Sequence, residues 1–504
     1  MSFVASLFVA VLFYSCTSQK GIFTKDNYVA IADSDSPRDI IRKAAKVVPS
    51  DRQFRWQQLE LTGFLHFGVN TFTNREWGDG KEDPKIFNPA ALDARQWARV
   101  AKEAGIKQLI LTAKHHDGFC LWPSKFTEHT VKNSPYKNGQ GDIVKEVADA
   151  CKEFGLGFGV YLSPWDRNSA FFGDSAKYND YFINQLTELL TNYGRIEEVW
   201  FDGANGEGPN GKKQVYDFSR WYRHIRRLQP GAVIAVMGPD VRWVGTESGY
   251  GRETEWSVVP LNAQSHANIA AGSQKEEGFK PGDMMARDLG GREKILNTKH
   301  LVWYPAETDV SIRPGWFYQP AEDSRVKTAE KMLDIYYSSV GRNGVLLLNI
   351  PPDKSGLIHE NDAAIMKDWK RLVDETFADN LLTGAEVTTP NGNRPRALLD
   401  DRYDTWWTTK GSDTTAVIDF KLPSSQTFDV LSLQENIRVG QRIEKFTLYY
   451  KEGSDWKKIT EGTTVGYKRL LRFPAVTAAE VRLHIESSRL NPTLAEIGIF
   501  KQAK

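Results

Sequence analysis

VWFDGANG, residues 199–206, runs apolar for three residues, sets Asp202 at the end of the run and turns at once on Gly203. A strand that ends in a carboxylate and opens into a glycine turn is how parallel α/β barrels present reactive groups to a pocket. The same residues also suit an ordinary Asp-Gly loop turn, so the reading depends on what surrounds them. Forty-five residues on, in RWVGTESG, Glu247 stands between Gly245 and Gly249, just past the apolar run AVIAVMG. It is the second candidate carboxyl, with Glu253, Glu255 and Glu307 as rivals.

Working outward, residues from about 61 alternate short β-rich runs with amphipathic helical stretches, the rhythm of parallel strands joined by helical crossovers. LTGFLHFGVN, IKQLILTAKH, LGFGVYLSPW, IEEVWFDGA, AVIAVMGP, HLVWYPAETDV and VLLLNIPP read as strands. Helices are expected at LDARQWARVAKEAG, GDIVKEVADACKEFG, YNDYFINQLTELLTNYG, VYDFSRWYRHIRRLQ, TAEKMLDIYYSSVG and about 359–377. Residues 240–295 are rich in glycine and charge and carry no long periodic segment, so they read as a large loop region of the kind that carries specificity. Beyond about 380 the pattern becomes TAVIDFKL, DVLSLQEN, EKFTLYYKEG, KRLLRFPA, EVRLHIESS and EIGIFK, short alternating strands of an antiparallel β-sandwich. The expected fold is therefore α/β: a (β/α)8-like TIM barrel over residues 21–378, then a β-sandwich over 379–504.

Composition narrows the function. The 65 Lys and Arg against 64 Asp and Glu leave a net charge of +1, with no field to gather phosphate backbones or anionic lipid, so nucleic acid is excluded as a partner. The 15 Trp offer flat faces for the C–H faces of sugars, although most are expected to fill core. Phe3 to Tyr14 has the length of a signal-peptide apolar region and is too short to span a membrane. FYSC followed by TSQK resembles a bacterial lipoprotein cleavage site with Cys16 as the lipidated residue, though Phe13 replaces the usual small aliphatic residue and MSF lacks a basic residue. Residues 1–20 thus read as an export segment, placing the protein on the periplasmic or outer face of a bacterium. Cys120 and Cys151 fit no metal-ligand spacing and read as core thiols, with a disulfide permitted by export.

Histidines gather at the same strand ends: His66 in LHFG, His115 and His116 in KHHDGF. A metal site is one reading, but neighbours on an extended chain point to opposite faces and would need a bend to chelate together. Neutral imidazoles that exchange hydrogen bonds with hydroxyls are the other. Two carboxyls at strand ends and hydroxyl-matching groups around them suit cleavage of a glycosidic bond, in which one carboxyl stays charged and the other holds a proton.

FLHFGVNTF, NREWG, LTAKHHDGF, GVYLSPW, VWFDGA, RWVGTESG, SIRPGWFY and SVGRNGVLLLNIPP together resemble glycoside hydrolase family 29, the retaining α-L-fucosidases, over roughly residues 50–375. The resemblance implies Asp202 as nucleophile, with His66, Glu76, Trp77, His115, His116 and Tyr161 holding the fucose and Trp200 nearby. RWVGTESG and SIRPGWFY look like the subgroup acting on branched α-1,3 and α-1,4 fucosides of Lewis-type glycans; there Glu247 would be acid/base and Trp316 would contact the sugar, with Thr246 standing where Asn is expected. No organic or metal cofactor is implied for the reaction. LLDDRYDTWWTT resembles the entry of discoidin-like, galactose-binding-like sandwiches, which implies a structural calcium and a sugar site there; Trp406 or Trp407 packing under the sandwich is the equal alternative. The expectation is an exported exo-α-L-fucosidase acting on fucosylated oligosaccharides and touching a membrane only through its anchor. A lipoprotein that binds fucosylated glycans without cutting them, and a histidine-metal hydrolase, are the competing classes.

Overall fold

The computed structural model describes residues 26–261 and 286–504; the expected export segment and Cys16 lie outside the described residues. Strands β1 (Leu61–Leu65), β2 (Gln108–Lys114), β3 (Gly157–Leu162), β4 (Glu198–Phe201), β5 (Val233–Val236), β6 (Arg242–Trp243), β7 (Ala306–Ser311) and β8 (Val345–Asn349) form one parallel sheet in the order β5-β4-β3-β2-β1-β8-β7-β6. The parallel bridge Ala235↔Val241 brings its two edges together, so the sheet is a nearly closed TIM-like barrel. Every residue of β1, β2, β4, β5, β7 and β8 is buried, which explains runs such as LILTA that lack polar alternation.

Helices α1 (Ala94–Glu103), α2 (Ile143–Phe154), α3 (Ser175–Asn192), α4 (Phe218–Leu228), α5 (Ala329–Ser338) and α6 (Glu360–Phe377) flank the barrel. The first five start on Asp93, Asp142, Asp174, Asp217 and Thr328, whose side chains accept an N–H of the first turn, a cap that satisfies donors with no partner inside the helix. α2 stops at Gly155, whose φ of 67° suits the left-handed end of a helix. Its buried Cys151 and the buried Cys120 are both free thiols. Burial pushes both thiols up, so they are core groups rather than nucleophiles.

Two departures from the expected pattern shape the barrel rim. No helix separates β5 from β6. Asp240 accepts the Ile234 N–H at 2.8 Å and pairs with Arg52 and Arg226, pinning a turn so tight that a Cβ on Gly238 would lie 2.4 Å from the Ile234 carbonyl oxygen. Val236 enters this turn with φ 61°, a strained conformation for a β-branched residue. The second departure is HLVWYPAETDV, expected as one strand. Pro305 divides it, since proline fixes φ and lacks an N–H. His300–Trp303 leaves the barrel to pair antiparallel with Tyr28–Ala30 and Val258–Pro260, while the residues after Pro305 become β7.

The C-terminal region is an antiparallel β-sandwich domain. β9 (Ala416–Gln434), β10 (Ile443–Glu452), β11 (Asp455–Gly462), β12 (Arg469–Ser488) and β13 (Glu496–Phe500) share one sheet with Glu386–Thr388. A smaller sheet joins Gly392–Asn393, Trp407–Thr409 and Thr493–Leu494. TAVIDFKL and DVLSLQEN merge into β9, with irregular pairing between Lys421 and Gln426, and KRLLRFPA and EVRLHIESS merge into β12. Trp407 is fully buried in the same core that holds Phe420, Phe428 and Phe446, the packing alternative for that tryptophan. The sandwich is sutured to the barrel's long β6–β7 connection. Gln441 accepts the Ser257 N–H at 2.8 Å and donates to the Glu255 carbonyl at 2.9 Å, and Thr464 accepts the Glu255 N–H at 3.0 Å.

Candidate active site

A cavity of about 270 Å³ opens at the C-terminal ends of the barrel strands, where the loops of such barrels carry chemistry. All ten side chains singled out above line it: Asp202, Glu247, His66, Glu76, Trp77, His115, His116, Tyr161, Trp200 and Trp316. Phe64, Met237, Trp243 and Asp309 line it as well, and the sequence reading named none of these.

Asp202 is the first residue past β4. Its Oδ1 accepts the Ala204 N–H at 2.7 Å, so it is indeed a turn-former, but only one oxygen is spent on the turn. Oδ2 accepts the Tyr161 hydroxyl at 3.0 Å and lies 3.8 Å from His116 Nε2, with a quarter of the side chain accessible. The Tyr161 ring stacks on Trp200 (centroids 5.3 Å, 21°) and on His115 (5.6 Å, 14°). Burial, then the Asp202 charge, push the Tyr161 phenol well above its ordinary range, so it remains a donor to the carboxylate.

The chain leaves β2 at Lys114 and turns, with Gly118 N–H bonded to the His115 carbonyl at 3.0 Å. That bend overrides the opposite-face rule and brings both rings to the cavity, centroids 4.1 Å apart. Each imidazole spends Nδ1 on the protein: His66 on Asn349 Oδ1 at 2.8 Å, His116 on Ser163 Oγ at 2.7 Å, His115 on Asn70 Nδ2 at 3.4 Å. The partners assign the tautomers of His66 and His116. Asn349 uses its NH2 on the Trp316 carbonyl and Ser311, so its oxygen must accept from His66 Nδ1–H. Ser163 donates to the Trp165 carbonyl, so it accepts from His116 Nδ1–H. Both rings therefore offer an Nε2 lone pair. The Asn70 amide also faces Asp117 Oδ2 at 3.0 Å and the Glu76 carbonyl at 3.4 Å, so His115 is held by a shared contact that fixes no tautomer. Burial lowers all three, His66 to about 4, and neutral rings match sugar hydroxyls, which can either donate or accept. Among the described residues, no group of three or more His, Cys, Asp or Glu is arranged to hold a metal ion.

Glu247 reaches the cavity from the exposed loop after β6, where the Trp316 indole N–H donates to its Oε2 at 3.3 Å. Glu76 secures Trp316 in turn: it accepts the Trp316 backbone N–H at 2.9 Å and the Gln319 amide at 3.3 Å, and burial raises its carboxyl. Gly315 leaves room for this clamp, since a Cβ there would sit 2.5 Å from Glu76 Oε1 and push the carboxylate aside. The rivals of Glu247 are committed elsewhere. Glu253 is exposed beside Arg342, Glu255 is buried against Arg242 and Arg252, and Glu307 is buried beneath Trp200. Arg313 is an ion-pair residue, held by Asp323 and Asp362 at 2.8 Å each. Trp77, 55% exposed, stands edge-on to His116 and Trp165 at the mouth. Asp309 lies in the wall, accepting the Trp243 indole N–H at 2.8 Å. Burial raises its carboxyl well above the usual range.

In the sandwich, Glu496 is pushed up to about 7 by burial and by Asp400 and Asp401, and Asp400 and Glu496 both accept the Arg402 N–H. Crowded carboxylate oxygens are a donor set suited to calcium, but too few side chains converge to hold it without backbone carbonyls.

The alpha-L-fucosidase family model matches residues 51–373, and the F5/8 type C domain model matches residues 383–497. Alpha-L-fucosidase 1 of Arabidopsis thaliana is 42% identical over 464 residues, spanning 90% of this chain and 87% of that protein. A Bacteroides ovatus ATCC 8483 protein of known crystal structure superposes with a TM-score of 0.84 at 51% identity, covering 95% of this chain and 78% of the other. A GH29 fucosidase of Ruminococcus gnavus, solved in complex with fucose, superposes with a TM-score of 0.79 at 31% identity, covering 94% and 97%.

Proposed function

The chain belongs to the alpha-L-fucosidases of glycoside hydrolase family 29, and from that premise we propose that it releases terminal fucose with retention of configuration, using Asp202 as nucleophile and Glu247 as acid, then base. The observation that carries this reading is the meeting of these two carboxyls, from the loops after β4 and β6, on one cavity among three neutral imidazoles. In the first step Asp202 Oδ2 bonds to the anomeric carbon as the bond to the aglycone oxygen breaks, and Glu247 gives that oxygen its proton. In the second, water attacks the same carbon, its proton passes to Glu247, and Asp202 leaves as a carboxylate. His66 and His116 accept from sugar hydroxyls, His115 hydrogen-bonds to another, and Trp77 and Trp316 flank the ring. Glu76 acts by holding Trp316 against Glu247.

The motifs RWVGTESG and SIRPGWFY support α-1,3 and α-1,4 linkages on branched Lewis-type glycans as the substrate. The apolar run before Cys16 supports export with a lipid anchor on that cysteine, and the acidic crowd at Glu496 supports a structural calcium. The mechanism is tested with two variants. D202A is expected to lose turnover of activated aryl fucosides; near-full activity would refute the nucleophile. E247G is expected to lose far more activity on a Lewis-type trisaccharide than on an aryl fucoside with a good leaving group, and to regain the latter with azide. Equal damage to both substrates would refute the acid/base role. A panel of glycans with defined linkages tests the specificity, and fucose capture without release would indicate a binding protein.

A further inference from the structure

Beneath the cavity, a buried column of polar groups crosses the barrel interior. Glu198, at the start of β4, accepts the Trp56 indole N–H at 3.0 Å and the Gln108 amide at 2.6 Å, both on Oε2. Glu307, on β7, accepts the Trp200 indole N–H at 2.6 Å on Oε1. The remaining oxygens, Glu198 Oε1 and Glu307 Oε2, are fully buried and receive no N–H or O–H from any other protein group among the described residues, while the two carboxyls stand within hydrogen-bonding reach of one another. β4 and β7 are not neighbours in the sheet, so this meeting is made through the barrel's interior. Two ionised carboxylates can only accept. Facing each other in the barrel interior, they would repel and leave both oxygens without a protein donor. One proton between them satisfies both.

We infer that Glu198 and Glu307 are a one-proton carboxyl pair that positions the floor of the active site, holding Trp200 by its indole N–H and, through the Trp200–Tyr161 stack, aligning the tyrosine that grips Asp202. The proton resides on Glu307 Oε2, because Glu198 already takes two donors, which favour its charged form, whereas Glu307 takes one. Burial raises both carboxyls, and the facing carboxylate raises Glu307 further. The neutral Glu307 then presents its carbonyl oxygen to Trp200. These are positioning residues: neither lines the cavity.

The inference rests on Asp202 being the attacking group, which D202A checks separately. Its own test is a set of variants in which the hydrogen-bond polarity is rewritten. In E307Q the amide NH2 replaces the shared proton and the amide oxygen still receives Trp200, so kcat/KM on an aryl fucoside is expected to stay within about threefold of wild type. In E307L the Trp200 N–H loses its acceptor, and a loss of about tenfold or more is expected, mostly in kcat. E198Q alone keeps a donor facing Glu307. In E198Q/E307Q two NH2 groups confront each other, one amide must turn, and the loss is expected to exceed the product of the two single losses by about tenfold. If E307Q is as impaired as E307L, or the double loss equals that product, the inference falls. It also falls if the melting temperature drops while kcat per folded molecule is unchanged. Should the double variant fail to fold, the comparison of E307Q with E307L decides.

Discussion

Replacing Asn349 with Asp should turn His66 from a neutral acceptor into a cation under mildly acidic conditions. Asn349 sits at the end of β8, where its oxygen takes His66 Nδ1–H at 2.8 Å and its NH2 serves the Trp316 carbonyl at 2.8 Å and Ser311 Oγ at 2.9 Å. Burial holds His66 at about 4 against an ordinary 6.5, so protonating it in place costs about 3 kcal/mol more than in water. The sign follows from proton counts. Between pH 6.5 and 4 the unfolded chain binds a proton at this position that the native protein refuses. The stability linked to neutral His66 is therefore complete above about 6.5 and lost as pH falls toward 4. Fucose affinity falls only near the native ring's own value of about 4, because Nε2 ceases to accept once protonated. A carboxylate opposite Nδ1–H favours the imidazolium by about 1–3 units, moving the limb from near 4 to about 5–7. The Trp316 carbonyl and Ser311 also lose a donor, at about 1–3 kcal/mol, which weakens binding even at pH 8. Calorimetric titration of wild type and N349D with fucose from pH 4 to 8 reads both effects without involving turnover. An unmoved acid limb, or one moved downward, would refute the tautomer assignment and the acceptor role built on it.

Calcium should raise the melting temperature of chelator-treated protein and E496Q should abolish the rise; no rise in wild type would remove the ion from the sandwich. Trp407→Ala, which empties a fully buried site in the same core, is expected to cost about 3–5 kcal/mol in calorimetric unfolding of the sandwich. A loss below about 1 kcal/mol would mean that the indole is not packed as described.

The residues that could be read from sequence were those whose local chemistry repeats their structural role. Asp202 follows a strand made wholly of buried residues, and His66 and His115–His116 stand at the ends of equally buried runs, so each announces a barrel rim. β6 was illegible because two residues, Arg242 and Trp243, leave no period to detect. Pro305 hid a sheet change inside a run with uniform β character. β11 passed unseen because it pairs only with β10 and is largely exposed, which leaves it no apolar face. Asp309 could have been found by alternation. Glu307, Asp309 and Ser311 share one face of β7, and that face points inward, the first beneath Trp200 and the second to the cavity wall. Which acid would meet substrate and which would be sealed below it depends on depth along the strand, which composition does not encode.

The suture between sandwich and barrel constrains any attempt to shorten or recombine this protein. Glu255, whose backbone is clasped by Gln441 and Thr464, also pairs through its carboxylate with Arg242 of the strand that leads into Glu247. A chain cut after Phe377 would hydrate that buried pair and free the segment downstream of the proposed proton donor. The last 120-odd residues thus brace the stretch that leads into and out of Glu247, and a chimera would keep that brace only if the incoming module brought its own clasp for Glu255.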